Sequence, residues 1–305
     1  MSNIPGNTKK RISIIETLLN FVRGSLIGIA ELIPGISGGT IALITGVYKR
    51  VIDSAAEAVR GIVLLFGFSK ANFAKSITHF KAISWSLLIP MLIGMVTAIF
   101  VGAGIVEPLL EQYPTVTKAA FAGLIAASLF VPIKLSGMGW KLSHYVVLLL
   151  SSSAAFAFTS IPRAADADPS FIVIMVSAAF AVCALVLPGI SGSYLLLALG
   201  IYTPTLAAVN DRDFGYLGTF VLGAIIGLAS FVSLLQWLLA KRLKMTMVVM
   251  TGLMIGSLRA LWPWQSDTGA ALIPEAGFGL ELLMFGVGSI IVLGLIVIER
   301  RMSPK

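Results

Sequence analysis

The sequence predicts an all-α polytopic membrane protein built as two inverted-topology repeats, each a broken, re-entrant helical hairpin plus three transmembrane helices. Three observations carry this reading. Of the 305 residues, 57% are hydrophobic and 12% charged, and the mean hydropathy is +0.97, far from the average of soluble domains. Apolar runs near the roughly 20 residues that a bilayer-crossing helix needs recur from end to end. Finally, Pro34-Gly35-Ile36-Ser37-Gly38 returns as Pro188-Gly189-Ile190-Ser191-Gly192, and Gly46 and Tyr48 return at the same offset of 154 as Gly200 and Tyr202.

The elements follow in order. Lys9, Lys10 and Arg11 precede an apolar stretch that contains Glu16 and Arg23 and has no small-residue cleavage site, which reads as a retained segment and not a signal peptide. Segments 14–33 and 36–48 flank the first Pro-Gly break. Spans are expected at 83–106, 116–134 and 143–161, which completes a first repeat over 1–162. The second repeat, 163–305, has a hairpin over 171–209 with arms 171–187 and 190–209, then spans at 215–239, 246–262 and 280–298. Gly94 and Gly123 have the spacing of Gly223 and Gly252, and Gly123-Leu124 with Ser128-Leu129 parallels Gly252-Leu253 with Ser257-Leu258. There the offset has dropped to 129, so the first half holds about 25 extra residues, placed at about 53–82. Arg60, Lys70, Lys75 and Lys81 surround a short apolar run at 62–68 in that insert. It reads either as an interfacial amphipathic segment on the anionic cytoplasmic leaflet or as a surface linker.

Charge placement sets the topology. With both pairs of arms as hairpins, 17 of the 22 Lys and Arg fall in cytoplasmic segments, both termini among them. Lys118, Arg163 and Arg212 fall outside, and Arg23 and Arg259 lie within apolar segments. That is the positive-inside pattern. Counting each arm as a full span leaves the basic loop after Tyr48 inside as well, so charge does not separate the two models. Arm length favours the hairpin, since 36–48 is short of a span. An odd number of spans after each hairpin makes the halves run in opposite directions.

The formal charge of +8 is thus topological, and no nucleic-acid partner is expected. The single Cys183 excludes an intrachain disulfide, and His79 and His144 lack metal-ligand spacing. No metal or cofactor is expected. Gly24/Gly28, Gly223/Gly227 and Gly252/Gly256 have small-xxx-small spacing, read as internal packing and not a dimer face; the oligomeric state is left open. Trp85, Trp140, Trp237, Trp262 and Trp264 fall near span ends, as interfacial anchors do.

Breaking a helix in lipid is tolerated only where the freed backbone is buried or lines a cavity. Two breaks at corresponding positions of two halves point to a transporter's binding site. Pro34-Gly35 and Pro188-Gly189 make the breaks, and Ile33 and Leu187, each before proline, end the first arms. Ser37 and Ser191 are then placed to cap the second arms. The N–H groups of Gly38, Gly39 and Thr40, and of Gly192, Ser193 and Tyr194, would be unpaired in the first turn, and would suit a multivalent anion such as phosphate. The alternative is that both loops are tight bends only. Arg23 and Arg259 could pair with phosphate oxygens or snorkel. Glu31 could carry a coupling proton or brace the hairpin by accepting backbone N–H groups. Arg23, Glu31 and Arg259 have Ser177, Leu185 and Phe130 as repeat counterparts, so the fold does not demand a charge there. A side chain at Gly38 or Gly192 is expected to block phosphate while sparing the fold.

The run from Glu31 through Pro34-Gly35-Ile36-Ser37-Gly38-Gly39 to Thr40, together with Leu187 to Gly192, resembles the bacterial polyprenyl-phosphate translocase family. The resemblance spans about residues 15–300. It implies return of undecaprenyl phosphate from the outer to the cytoplasmic leaflet of the bacterial plasma membrane, so that the carrier lipid is reused for envelope polymers such as peptidoglycan. It also implies that both Pro-Gly-Ile-Ser-Gly loops matter, without assigning roles to Arg23 or Arg259. Two other classes compete. Undecaprenyl-diphosphate phosphatases also have inverted halves with a Pro-Gly-x-Ser loop, but ester cleavage would want an Arg after that Ser, and here Gly38 and Gly192 follow. The other competitor is a secondary transporter of a small soluble anion, which would lack a lateral opening for a lipid chain.

The charge split generates a labelling test. Cysteines placed at 3, 70 and 303 should react only from the cytoplasm, and those at 111, 166 and 268 only from outside. Cysteines at 49 and 210 should label from opposite sides; labelling from one side would remove the inverted arrangement.

Overall fold

The computed structural model describes residues 14–32, 37–65, 67, 69–161, 169–266, 270–274 and 277–302. Helix is the only regular element among them apart from one isolated bridge, Gln265 with Ala271. Six helical stretches are long and apolar enough to cross a membrane. They coincide with the six spans expected: α5 (Trp85–Gln112), α6 (Pro114–Ser128) running into α7 (Phe130–Ser136), α8 (Leu142–Thr159), α12 (Phe214–Lys241), α13 (Leu243–Ser257) running into a 3-10 turn (Leu258–Leu261), and α14 (Gly279–Met302). The two interrupted spans break at the equivalent Leu129 and Leu258, where Ser128 and Ser257 turn their hydroxyls back onto the carbonyls of Leu124 and Met254.

Each hairpin has one long and one short arm. In the first, α1 (Ile14–Glu31) is followed by the seven-residue α2 (Gly38–Ile44); in the second, α9 (Phe171–Val186) is followed by the seven-residue α10 (Gly192–Ala198). Seven residues reach only about 10 Å, a third of the hydrocarbon thickness. Both short helices end in the same way. Gly46 (φ 69°) and Gly200 (φ 70°) take the left-handed conformation. Their N–H groups donate to Leu43 and Leu197, and those of Val47 and Ile201 to Ala42 and Leu196. This Schellman cap stops the helix and turns the chain. The arm expected as one segment over 190–209 is therefore two helices, with α11 (Tyr202–Asn210) bent 108° from α10.

The extra residues of the first half, placed at about 53–82, lie on a pair of helices. There α3 (Tyr48–Leu65) runs unbroken and α4 (Lys70–Ala82) folds back along it. Part of the run at 62–68 lies in the last turn of α3, and residues 66 and 68 lie outside the described residues. A chain of polar contacts ties this pair to α12: His79 Nδ1 lies 2.6 Å from Glu57, Arg60 bonds Glu57 and Gln236, and Gln236 bonds Asp53.

Long-helix packing recurs between halves. α1 lies along α5 as α9 lies along α12, and α6 lies along α14 as α13 lies along α8. Each of these contacts is made at glycine. A Cβ at Gly24, Gly28 or Gly94 would strike backbone across the α1–α5 seam; at Gly223 or Gly227, across α9–α12; at Gly123 or Gly288, across α6–α14; and at Gly252 or Gly256, across α8–α13. The small-residue spacing thus serves internal packing, as the sequence suggested. The largest cluster of buried residues gathers around α2 and the start of α3, with α5, α12 and α13 around it.

Candidate functional site

The two breaks meet, and the first hairpin completes the second. Pro188 halts α9 and leaves its last carbonyls without helical donors. Tyr48 donates its hydroxyl to the Val186 carbonyl at 3.0 Å, and Ser37 donates to that of Leu187 at 2.9 Å. The Gly189 N–H donates to Thr40 Oγ1 at 3.1 Å. Ser37 and Thr40 are wholly buried, with 1% and 0% of their surface exposed. Gly39 lets the chains approach: a Cβ there would fall 2.7 Å from the Val186 carbonyl oxygen. Gly189 (φ +90°) backs onto α13, where a Cβ would fall 2.6 Å from the Met254 nitrogen.

These contacts correct three expectations. Ser37 sits in the extended cap conformation, yet its side chain makes no cap bond; it donates instead to the Leu187 carbonyl opposite. The Gly38 N–H is taken by Glu31 Oε1 at 2.8 Å, and that of Thr40 by the Ser37 carbonyl at 2.9 Å. The first loop therefore does not offer both of these amides to a ligand. Pro34 and Gly35 lie outside the described residues.

The second loop differs. Ser191 caps α10 as expected, accepting the Tyr194 N–H at 3.3 Å, and its hydroxyl lies 2.9 Å from that of Ser193. Among the described residues no acceptor faces the N–H of Gly192 or of Ser193. Tyr194 is turned away from the loop, donating to the Thr159 carbonyl at 2.8 Å and setting its ring edge-on to Phe158. Two amides and two hydroxyls are thus held together beside the Gly189 turn, a donor set that suits an anionic oxygen.

The intramembrane charges are placed by different means. Glu31 ends α1 and braces the break through Gly38. Arg23 is half-buried and donates to Asn20 Oδ1 at 2.9 Å, while the fully buried Asn20 donates to the Ser86 carbonyl at 3.2 Å, joining α1 to α5. Arg259 lies in the 3-10 turn beyond α13, five residues after the Met254 that meets Gly189. Sequence reasoning missed Asn20 and the donor role of Tyr48. An amide inside the apolar run 14–33 was a readable signal for the first; for the second, only the repeated tyrosine.

The undecaprenyl phosphate translocase-like family model matches residues 27–276. A polyprenyl-phosphate transporter of Vibrio cholerae serotype O1 is 34% identical over 266 residues, covering 87% of this chain and 84% of the relative. A polyprenyl-phosphate transporter of Staphylococcus aureus is 28% identical over 263 residues, covering 80% and 86%. No solved structure matches the chain.

The geometry also revises what glycine substitution should do. A Cβ at Gly192 would fall 2.6 Å from the Ala181 carbonyl oxygen, which cannot move cheaply, so Gly192→Val should lose folded protein. At Gly38 the nearest atoms belong to the Glu31 and Ile27 side chains, so Gly38→Ala should fold and displace the carboxylate. Thr40→Val keeps shape but strands the Gly189 N–H, and should lower stability by about 1–3 kcal/mol. Tyr48→Phe should cost about 1 kcal/mol, nearer the average for intramembrane hydrogen bonds. Thermal unfolding in detergent reads all four; an unchanged midpoint for Thr40→Val would mean the crossing contacts are incidental.

Proposed function

The chain belongs to the undecaprenyl phosphate translocase-like family, and from that premise we propose that it is a membrane transporter of polyprenyl phosphate. It moves undecaprenyl phosphate from the outer to the cytoplasmic leaflet of the bacterial plasma membrane, so that the carrier lipid is recycled. The chemistry is non-covalent. A long prenyl chain is at home in lipid, and only the phosphate needs a path, because taking that charge unaided through hydrocarbon is prohibitive.

The observation that carries this reading is the meeting of two broken hairpins inside a bundle of candidate spans. The loop at Ser191, Gly192 and Ser193 is the phosphate-binding element, with Gly189 and Pro188 shaping it. Ser37, Gly39 and Thr40 hold that element in position, and Gly38 contributes once Glu31 releases its N–H. Tyr194 supports the loop from α8. Arg259, and after it Arg23, supplies positive charge along the path. The recurring pairing of long helices and the twin Schellman caps support an inverted repeat that alternates between the two leaflets, with both termini cytoplasmic. Glu31 is a candidate for ion coupling: its hydrogen bond to Gly38 links its charge state to the shape of the first loop.

Leaflet-resolved transport of undecaprenyl phosphate by the protein in proteoliposomes tests the proposal. Arg259→Lys keeps the charge but loses the fork and should weaken substrate binding several-fold, while Arg259→Ala should weaken it at least tenfold more. Glu31→Gln can still accept the Gly38 N–H, so it should fold and bind lipid phosphate yet lose acceleration by an imposed pH gradient. Normal acceleration in Glu31→Gln would leave Glu31 as a brace alone.

A further inference from the structure

A cleft of about 390 Å³ opens between α6, the 3-10 turn and the start of α14, and nothing above uses it. Its volume lies in the range of sites that bind small molecules. Ala122, Leu258, Trp262, Trp264, Phe278 and Phe285 are among the residues of its wall. Among the described residues Glu281 is its one ionisable lining group, and it accepts from Thr115 Oγ1 at 3.3 Å. An apolar cleft with a carboxylate at its edge suits a hydrocarbon and repels a phosphate.

The wall is built, not incidental. Trp262 Nε1 donates to the Leu272 carbonyl at 3.0 Å, and the Leu272 N–H donates to that of Trp264 at 2.8 Å. Gln265 Nε2 holds the carbonyls of Trp262 and Ala260 at 2.6 and 3.0 Å. The rings of Trp262, Trp264 and Phe278 meet edge to face, with centroids 5.3 and 6.1 Å apart. In the first half, only residues 137–141 join α7 to α8 where 262–278 stand here, so this wall has no counterpart. It lies at the end of the molecule where α14 starts, opposite Arg242 and Lys244 at the start of α13. By the positive-inside rule that end faces outward.

The cleft and the second hairpin are linked through α13 and the 3-10 turn that follows it. Gly189 packs on Met254, and Leu258 of the cleft follows four residues later, about 6 Å along the helix. Arg259 stands on the same turn as the lining residues Leu258 and Leu261. An amphiphile with its phosphate at Ser191 and Gly192 would lay the first units of its chain here. We propose that this cleft is the docking groove for the phosphate-proximal isoprene units of the lipid, used when substrate enters from the outer leaflet. The inference rests on the transport reading and adds to it the residues that select for a prenyl chain.

The test uses full-length protein in nanodiscs. A benzophenone amino acid at position 278 should crosslink undecaprenyl phosphate, and excess unlabelled undecaprenyl phosphate should suppress the product while phosphatidic acid does not. Ala122→Trp, which fills the cleft, should weaken undecaprenyl phosphate binding roughly tenfold and leave inorganic phosphate, which has no chain to place there, bound as before. Equal suppression by phosphatidic acid would make the cleft a general lipid seam and overturn the proposal. So would undecaprenyl phosphate binding unchanged by Ala122→Trp, with the transport reading left standing. Absence of undecaprenyl phosphate binding to the unaltered protein would remove the transport reading and this inference together.

Discussion

The structure depends on one constraint: backbone groups freed inside lipid must find partners within the protein. Pro188 frees the end of α9, and the partners come from the other half of the chain. Ser37, Thr40 and Tyr48 hold the Leu187 carbonyl, the Gly189 N–H and the Val186 carbonyl. Neither break is then a local feature. Losing the hydroxyl of Thr40 or Tyr48 leaves a backbone group without its partner in a hairpin more than a hundred residues away.

Such contacts need the supporting helices to come close, and the glycine seams allow it. Association in lipid lacks the hydrophobic drive available in water, so packing and short polar contacts must supply it. Each long-helix pair meets at glycines whose missing Cβ lets backbone touch backbone. Ser289, which donates to the Gly123 carbonyl, and Ser25, which donates to that of Gly94, add hydrogen bonds across two of these seams.

The halves are alike in architecture and unlike in chemistry. At the repeat offset Glu31 corresponds to Leu185, Thr40 to Tyr194 and Gly39 to Ser193. The first loop commits the amides of Gly38 and Thr40 to Glu31 and to its own turn and lends its side chains to the second. The second keeps two amides and two hydroxyls together. The donor set is thus unequal across a near-symmetric frame.

The sequence by itself determined the six spans, the two broken hairpins and the use of small-residue stripes for packing. Hydropathy, proline and glycine act locally, and lipid leaves few alternatives to helix. Gly46 and Gly200 were legible as a repeated pair, but that each ends a helix in the left-handed conformation was visible only in the fold, where the arm read as one segment over 190–209 is two helices. The expectation that both loops present equivalent free amides failed. Nothing in Ser37 distinguishes it from Ser191 until the second hairpin stands opposite and draws its hydroxyl away from the cap. Likewise Glu31 was legible as a buried charge, but its bond to Gly38 required the turn to bring residues seven apart together. The aromatic cleft on α14 was illegible for the same reason, since its wall joins α6, the end of α13 and a later loop. Which partner each freed group takes is decided by what the whole fold places within about 3 Å of it, and that proximity is not a local property of the chain.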